Sequence, residues 1–428
     1  MNKYFLALVI AFASCGVFAQ SGTNSPYSQY GLGVLSDQGN SFNRGMNGVG
    51  IALTSHNQVN YLNPASYSKT DSLSFIFDVG MSLQLTNFAE GNVKKNAKNA
   101  DFEYAVAALR LAKKFGMGFG IIPFSKTGYS FSSKSDDNVS SFSGTGGVNE
   151  IFVGLGYEPI KGLSLGVNAG YLWGNLERSV IYSYSSSSAS TLSKTASVDI
   201  TNYKLSFGAQ YSLSLNKADA LTLGATYGMG HSLHSDPEML ITTLDPLTSV
   251  TNTTNFKAGD AISLPDQFGI GVAYLHGKKW TVSADYTLQK WSSAKYPKYI
   301  DNNGSDKGSY VASQDMYLDR NKIGIGGEYC QNIEGRSFAS RIRYRFGASY
   351  STPYIKMNTI NGVQDGPKEI SLSAGVGVPV VNGYNNRSFI NVSAQWVRSA
   401  TSLIKENTFR INVGLTFNEK WFAKWKFE

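Results

Sequence analysis

Cysteine, histidine and charged side chains are all scarce in this sequence of 428 residues. It contains 2 Cys and 4 His, and charged residues make up 16% of it. Cys15 lies within a predicted export signal, so the processed chain keeps Cys330 alone and an intrachain disulfide is excluded. The fold must therefore depend on hydrogen bonds and side-chain packing.

Long apolar runs are missing beyond the N-terminus. Residues 1–19 are typical of a secretory signal, with Lys3, an apolar run from Tyr4 to Phe12, and the small-residue site Val17-Phe18-Ala19 before Gln20. The alternative is a lipoprotein processed at Cys15. After the signal no stretch approaches the roughly 20 apolar residues that a membrane-spanning helix needs. The sequence thus excludes a helical membrane protein.

Glycine and aromatic residues are abundant instead, with 44 Gly, 25 Tyr and 24 Phe. From Leu73 the sequence alternates with period two, because Phe75, Phe77, Val79 and Met81 share one face while small or polar residues occupy the other. Segments that begin at Leu163, Tyr203, Leu221, Trp280, Ile342, Ile370, Ile390 and Phe409 repeat this pattern.

These segments favour a transmembrane β-barrel over a soluble sandwich. Several run for ten or more residues, which matches the roughly 9–11 tilted residues that cross a bilayer. Short connections such as Lys113-Lys114 alternate with long ones such as Ser235 to Leu264. We predict an all-β, antiparallel barrel of about fourteen strands in a Gram-negative outer membrane, with both chain ends in the periplasm.

The boundaries follow from where the alternation begins and ends. We assign residues 1–19 to the signal peptide, 20–70 to an N-terminal plug, 71–418 to the barrel, and 419–428 to an aromatic tail or the end of the last strand. The alternative for residues 20–70 is a disordered extension. Ile51, Leu53 and Val59 favour the plug, because they need a surface to pack against.

The plug resembles that of the FadL-type outer-membrane transporters of long-chain fatty acids. The segment Gly45 to Thr54 (GMNGVGIALT) precedes Tyr61-Leu62 and the triplet Asn63-Pro64-Ala65. Members of that family begin with a Gly-rich hatch that ends in Asn-Pro-Ala before the first of fourteen strands, and the order here is the same. The aromatic residues after Phe417 depart from the family pattern.

The resemblance implies a small hydrophobic ligand, passive uptake, and sideways exit through a gap in the barrel wall. The sequence marks a candidate gap at Pro123, with Gly120 nearby, in the predicted third strand. Proline cannot donate a hydrogen bond to a β-ladder, so we expect a bulge or a local loss of pairing there. The alternative is an irregularity without a role in transport.

Residues that carry catalysis or bind metals are not evident. His231 and His234 are close in sequence, near Asp236, but an extended chain would point them to opposite faces. No nucleophile elbow and no zinc-protease motif occurs. We therefore predict no enzymatic activity, no metal and no cofactor, and we interpret Gly116 to Gly120 as small residues that face the lumen.

Three arginines alternate at Arg341, Arg343 and Arg345, opposite the apolar Ile342 and Tyr344. They are candidates to contact the headgroup of a fatty acid, because guanidinium groups suit carboxylates. The alternative is a structural ladder paired with acids such as Asp78 or Asp285. The net charge is +8, but the sequence contains no recognisable nucleic-acid-binding motif. A basic barrel that faces anionic lipid headgroups explains this charge equally well.

Two functions remain open at this stage. The first is hydrophobic uptake through a hatch-gated barrel, and the second is a non-transport barrel that serves as a surface or secretion-associated component. The expected partners are a hydrophobic ligand, outer-membrane lipid and lipopolysaccharide, and the barrel-assembly machinery during insertion, with no nucleic acid.

Overall fold

The computed structural model describes residues 22–72, 74–186, 188–277, 279–301, 308–333, 335–359, 362–382 and 385–419. The predicted signal peptide, Cys15 and the tail after Glu419 lie outside these residues. The described Cys330 is a buried free cysteine. No helix in the described part of the chain is long and apolar enough to cross a membrane.

One antiparallel sheet of seventeen strands contains the barrel wall. Fourteen of them form the wall, and three others, Val34–Leu35, Glu238–Leu244 and Thr251–Lys257, attach to it. The wall strands are β1 (Phe75–Glu90), β2 (Val93–Ala112), β3 (Phe115–Lys134), β4 (Asn138–Ile160), β5 (Leu163–Tyr184), β6 (Thr191–Ser214), β7 (Asp219–Gly228), β8 (Gln267–His276), β9 (Trp280–Gln289), β10 (Arg320–Cys330), β11 (Arg343–Ser351), β12 (Lys368–Asn382), β13 (Asn385–Ala400) and β14 (Ile404–Glu419).

The barrel closes because β1 pairs with β14 along its whole length, from Phe75 opposite Glu419 to Glu90 opposite Ile404. The predicted fold class and strand number are thereby confirmed. Period-two alternation separates the two faces of the wall, since Leu83 and Phe409 are exposed on the outside while Ser82 and Asn412 are buried on the inside.

The two ends of the barrel differ. At the short-turn end, β2 and β3 are joined at residues 113–114 and β4 and β5 at residues 161–162. At the long-loop end lie two-stranded hairpins such as Tyr296–Ile300 with Ser309–Ser313. This arrangement is that of outer-membrane barrels, whose long loops face the outside of the cell.

The sequence also predicts long loops at residues 90–100, 134–147 and 185–196, but at least half of each range lies in strands. Strand β1 extends to residue 90 and β2 begins at residue 93. Strands β4, β5 and β6 have 22 to 24 residues each. A crossing needs only about 9–11 residues, so these strands project beyond the bilayer. Water contacts both faces of the projecting parts, so neither face needs apolar side chains. The sequence there consequently lacks the period-two alternation.

Residues 22–72 occupy the barrel lumen. They contain a short helix α1 (Ser41–Gly45) and 3₁₀ turns at Pro26–Gln29 and Pro64–Lys69, and many of their side chains are buried. Above them, at the long-loop end, an aromatic cluster forms where Trp291 packs against Tyr317 and Tyr354 with ring centroids 5.3 and 5.0 Å apart. We refer to residues 22–72 as the hatch.

Candidate functional site

The Asn-Pro-Ala triplet joins the hatch to the wall. Pro64 begins the 3₁₀ turn Pro64–Lys69, and Asn63 caps that turn, because its Oδ1 accepts a hydrogen bond from the amide of Ala65 at 3.1 Å. The Nδ2 group of Asn63 donates to the carbonyl of Ala209 on β6 at 3.1 Å and to that of Ala225 on β7 at 3.3 Å. Asn63 therefore anchors the hatch to two neighbouring strands.

Glycines on the lumen face let the hatch approach the wall. A Cβ at Gly116 would stand 1.9 Å from the carbonyl oxygen of Tyr67, and a Cβ at Gly166 would stand 2.3 Å from the carbonyl carbon of Pro64. Real side chains do not tolerate such distances. At Gly116, the interpretation of small lumen-facing residues therefore agrees with the structure.

Ion pairs add to this attachment. The Arg44 guanidinium on α1 contacts the Glu103 carboxylate of β2 at 2.9 Å, and both side chains are almost fully buried. The Asp37 carboxylate contacts Arg410 of β14 at 2.6 Å. Burial raises the pKa of Asp37, but the charges of Lys322, Arg410 and Arg44 outweigh it and hold the pKa below its usual value. The hatch thus carries charges that the wall neutralises.

Asp285 and Asp78 also hold the hatch, and neither forms an ion pair with Arg343 or Arg345. The Asp285 carboxylate accepts hydrogen bonds from the amides of Gly50 and Ile51 at 2.6 and 2.9 Å. Asp78 accepts one from Asn40 at 2.8 Å. An acid on the small, polar face of a strand is the sequence signal that could have identified these anchors.

The three alternating arginines do not form one inward row. Arg341 ends a 3₁₀ turn, because β11 begins only at Arg343. Arg343 and Arg345 do point inward, where both contact Glu328 of β10, at 3.3 and 2.7 Å. Their partner is therefore an acid that the sequence did not single out.

The surroundings of Arg345 do not favour a role in contacting a headgroup. Its guanidinium lies over the ring of Phe42, a hatch residue, at 4.8 Å from the ring centroid, and donates to Asn391 at 2.7 Å. The residue is 1% exposed. Within the described structure, Arg345 is thus covered by the hatch and already paired with a carboxylate.

The wall splits beside Pro123. The β2–β3 ladder runs from Ala112 opposite Phe115 to Ala105 opposite Ile121 and stops there. On its other edge β3 pairs with β4 from Phe115 to Lys134, with a shift of register between Pro123 and Ser125. Gly120 is the last residue but one of the paired part and lies opposite Val106. Pro123, which has no backbone N–H to donate, lies two residues beyond the end of this ladder.

The first residues of the hatch occupy the split. Val34–Leu35 pairs with Ser125 and Lys126 of β3. On the other side, Asn24 donates a hydrogen bond to Asn99 of β2 at 2.8 Å. The ion pair between Lys126 and Asp101, at 3.3 Å, crosses the split.

The two described chain ends lie at different heights along β1. Glu419 lies opposite Phe75 at the short-turn end. Gly22 instead lies beside Gln84, farther along β1 toward the long-loop end. The reason is that the segment from Gly22 to Leu35 supplies backbone partners to the wall beside the split.

Two cavities adjoin the hatch, with volumes of about 190 and 120 Å³. The first lies next to Ile122 and Phe124, the neighbours of Pro123. Its lining includes apolar side chains but also the charged Asp37, Lys204 and Lys322. It is therefore a mixed cavity rather than an apolar passage.

The histidines form no site with each other. His231 stacks on Tyr203, with ring centroids 4.2 Å apart, and His234 lies 3.4 Å from Asp260. In the described residues no group of three or more His, Cys, Asp or Glu side chains could hold a metal ion.

Comparison with known proteins identifies one family and several similar folds. The sequence profile of the family BamG matches residues 1–428. No curated protein sequence is significantly similar to the chain. The toluene transporter TodX of P. putida is 16% identical with a TM-score of 0.62, and the alignment covers 91% of this chain and 100% of TodX.

Two other solved structures share this fold. A FadL homologue of Pseudomonas aeruginosa is 12% identical with a TM-score of 0.60, covering 91% of this chain and 99% of the homologue. The monoaromatic hydrocarbon channel CymD is 14% identical with a TM-score of 0.59, covering 90% of this chain and 98% of CymD. The chain therefore has the fold of FadL-type outer-membrane barrels.

Proposed function

Because this chain belongs to the BamG family, we propose that it is a non-transporting outer-membrane barrel that serves as a structural component of barrel assembly. The family name points to barrel assembly, and the match extends over the whole chain. The partners would then be other proteins of the assembly machinery, bound by the outside or the rims of the barrel rather than by its lumen.

The observation that carries this proposal is the attachment of the hatch around the wall. Hydrogen bonds or ion pairs join it to thirteen strands, β1 to β7 and β9 to β14. Since these contacts lie on all sides, the hatch cannot tilt toward one side without breaking contacts on the other.

The energetic cost of hatch movement supports the same function. A protein hydrogen bond contributes about 1 kcal/mol net, and breaking a buried ion pair costs about 3–5 kcal/mol because a charge is left unpaired. Moving α1 would break the buried pair of Arg44 and Glu103. Moving the preceding segment would break the partly exposed pair of Asp37 and Arg410, at a lower cost because solvent screens it. A component that stays closed needs no such movement.

Depletion of the chain in its own host tests this proposal. We expect the amount of other folded outer-membrane barrels, measured by heat-modifiable migration on gels, to fall before the uptake of labelled fatty acid or toluene changes. A Pro123→Ala variant should restore barrel levels fully. Normal barrel levels together with reduced uptake would overturn the proposal, as would a folded Pro123→Ala chain that does not complement.

A second candidate is passive uptake of small hydrophobic compounds with sideways exit. The split between β2 and β3 favours it, because the 190 Å³ cavity adjoins the split at Ile122 and Phe124. Solved structures with this fold include a toluene transporter. In this function Asn63, Pro64 and Ala65 would hold the closed position of the hatch, and Gly120 and Pro123 would mark the exit.

Native mass spectrometry of the detergent-purified barrel separates the two candidates. The chain would be mixed with oleate or toluene, and Pro123→Ala and Asn63→Ala variants would be compared with the unchanged chain. Uptake requires a bound compound whose occupancy changes in the variants. An unchanged, empty barrel in all three samples agrees with the structural component.

A further inference from the structure

The outer rim of the wall separates charges by sign. At the long-loop end of β12, β13, β14, β1 and β2, the exposed cations are Lys368, Arg398, Lys405, Lys94 and Lys98. Strand parity places them on the outer face, together with the exposed Leu372, Phe409, Leu83 and Phe102. We call these five residues the cationic ledge.

At the long-loop end, the acids of the same strands have the opposite parity, including Glu90, which is exposed at the end of β1. Asp101, Glu103 and Glu406 are buried on the lumen side, where Glu103 contacts Arg44 and Glu406 accepts a hydrogen bond from Ser25. Glu369 lies between the outward-facing Lys368 and Ile370 and therefore points inward as well. No ion pair among the described residues involves a cation of the ledge.

The register of the sheet arranges the ledge in rows. One row across five neighbouring strands reads Lys368, Ala400, Lys405, Ala89, Lys94. Adjacent strands are about 4.8 Å apart, so these lysines are about 10 Å from one another with alanines between them. Small alanines leave the space between the ammonium groups open to a ligand.

The rows below connect the ledge with the lipid-facing surface. The next row reads Ile370, Arg398, Asn407, Asn87, Asn96, and the third reads Leu372, Trp396, Phe409, Leu85, Lys98. From rim to membrane the surface thus changes from lysines to amides to apolar side chains. A ligand that fits it has several anionic groups, polar groups beneath them, and acyl chains.

We propose that the cationic ledge binds the phosphate groups of lipopolysaccharide in the outer leaflet, with the asparagine row against its sugar and amide groups. Three observations support this ligand over a phospholipid. The ledge lies at the long-loop end, it carries five unpaired cations on four strands where a phospholipid offers one phosphate, and amide side chains lie beneath it. Each cation near an anionic surface favours binding electrostatically.

Binding of defined lipids to the detergent-purified, delipidated chain tests the proposal. The ledge variant carries Lys94→Gln, Lys368→Gln, Arg398→Gln and Lys405→Gln. The matched control carries Lys113→Gln, Lys161→Gln, Lys217→Gln and Lys279→Gln, four lysines exposed at the short-turn end. Native mass spectrometry would follow bound diphosphoryl lipid A, monophosphoryl lipid A and phosphatidylglycerol.

We expect the ledge variant to bind diphosphoryl lipid A at least about tenfold more weakly than the unchanged chain, and the control to change little. Monophosphoryl lipid A should bind more weakly than the diphosphoryl form, and salt should weaken binding to the unchanged chain. The salt titration needs no variant, so the test stands even if the ledge variant does not fold.

Three outcomes would overturn the proposal. Equal losses of lipid A binding in the ledge and control variants would show that binding does not depend on where on the barrel the cations lie. Equal binding of phosphatidylglycerol would indicate a general anionic surface. Unchanged lipid A binding combined with loss of a co-purifying protein would assign the ledge to a protein partner instead.

Discussion

At the scale of single residues, Asn63 combines two roles that different substitutions separate. Asn63→Ala removes both the cap on Ala65 and the donors to Ala209 and Ala225. Asn63→Asp keeps the acceptor but sets a carboxylate against two carbonyl oxygens. We expect Ala to lower the free energy of unfolding by about 2–3 kcal/mol and Asp to lower it further. Urea unfolding followed by tryptophan fluorescence measures this difference.

An exposed asparagine in the hairpin at the long-loop end, Asn252, provides the control. Asn252→Ala should leave stability unchanged, because the side chain is exposed. If Asn63→Asp were as stable as the unchanged chain, the donors of Asn63 would not matter for seating the hatch.

Glu328 offers a second test at the residue scale, because two buried arginines share its carboxylate. Glu328→Gln leaves both guanidinium groups without an anion, so we expect a loss of about 3 kcal/mol or more. The triple replacement of Glu328, Arg343 and Arg345 by Met should recover most of this loss, since no buried charge remains. Unfolding in urea compares the two, and a triple variant less stable than Glu328→Gln would contradict the argument.

At the scale of elements, the split between β2 and β3 should be visible in hydrogen exchange. Amides of β2 and β3 that face the split lack the ladder partners that β4 and β5 give each other over their length. We expect these amides to exchange at least about tenfold faster than amides between β4 and β5 at the same height. Equal protection would mean that the segment from Gly22 to Leu35 closes the split completely.

The hairpin of Glu238–Leu244 and Thr251–Lys257 is an addition to the wall. It pairs with residues 191–197 of β6, beyond the membrane-spanning part of that strand. Replacing residues 238–257 by a short turn should therefore leave the barrel folded and heat-modifiable on gels. Failure to fold would show that the hairpin is needed for barrel formation itself.

At the scale of the whole molecule, we expect the hatch to determine whether the barrel conducts ions. Because it fills the lumen and contacts most of the wall, we expect the purified chain to give no stable conductance steps in planar bilayers. Arg44→Met leaves Glu103 without the hatch cation and should produce intermittent steps. Steady conductance by the unchanged chain would contradict a seated hatch.

Much of the fold could be predicted because lipid and lumen impose opposite requirements on alternate residues. The outward pattern at Met81 and Leu83 and the inward pattern at Ser82 are local, so they are readable without a structure. This alternation is absent from the long-loop ends of β2, β4, β5 and β6, since water contacts both faces of the strands there. The strand ends were consequently predicted as loops.

The sequence by itself determined the barrel, its strand number and the place of the hatch before the first strand, because period-two alternation and turn residues act over a few neighbours. Only the tertiary structure decided that Arg345 pairs with Glu328, that Arg44 pairs with Glu103, and that the ladder ends at Ile121. These outcomes depend on which strands become neighbours and on how the hatch is rotated within them. Such long-range choices leave no periodic signal in the chain.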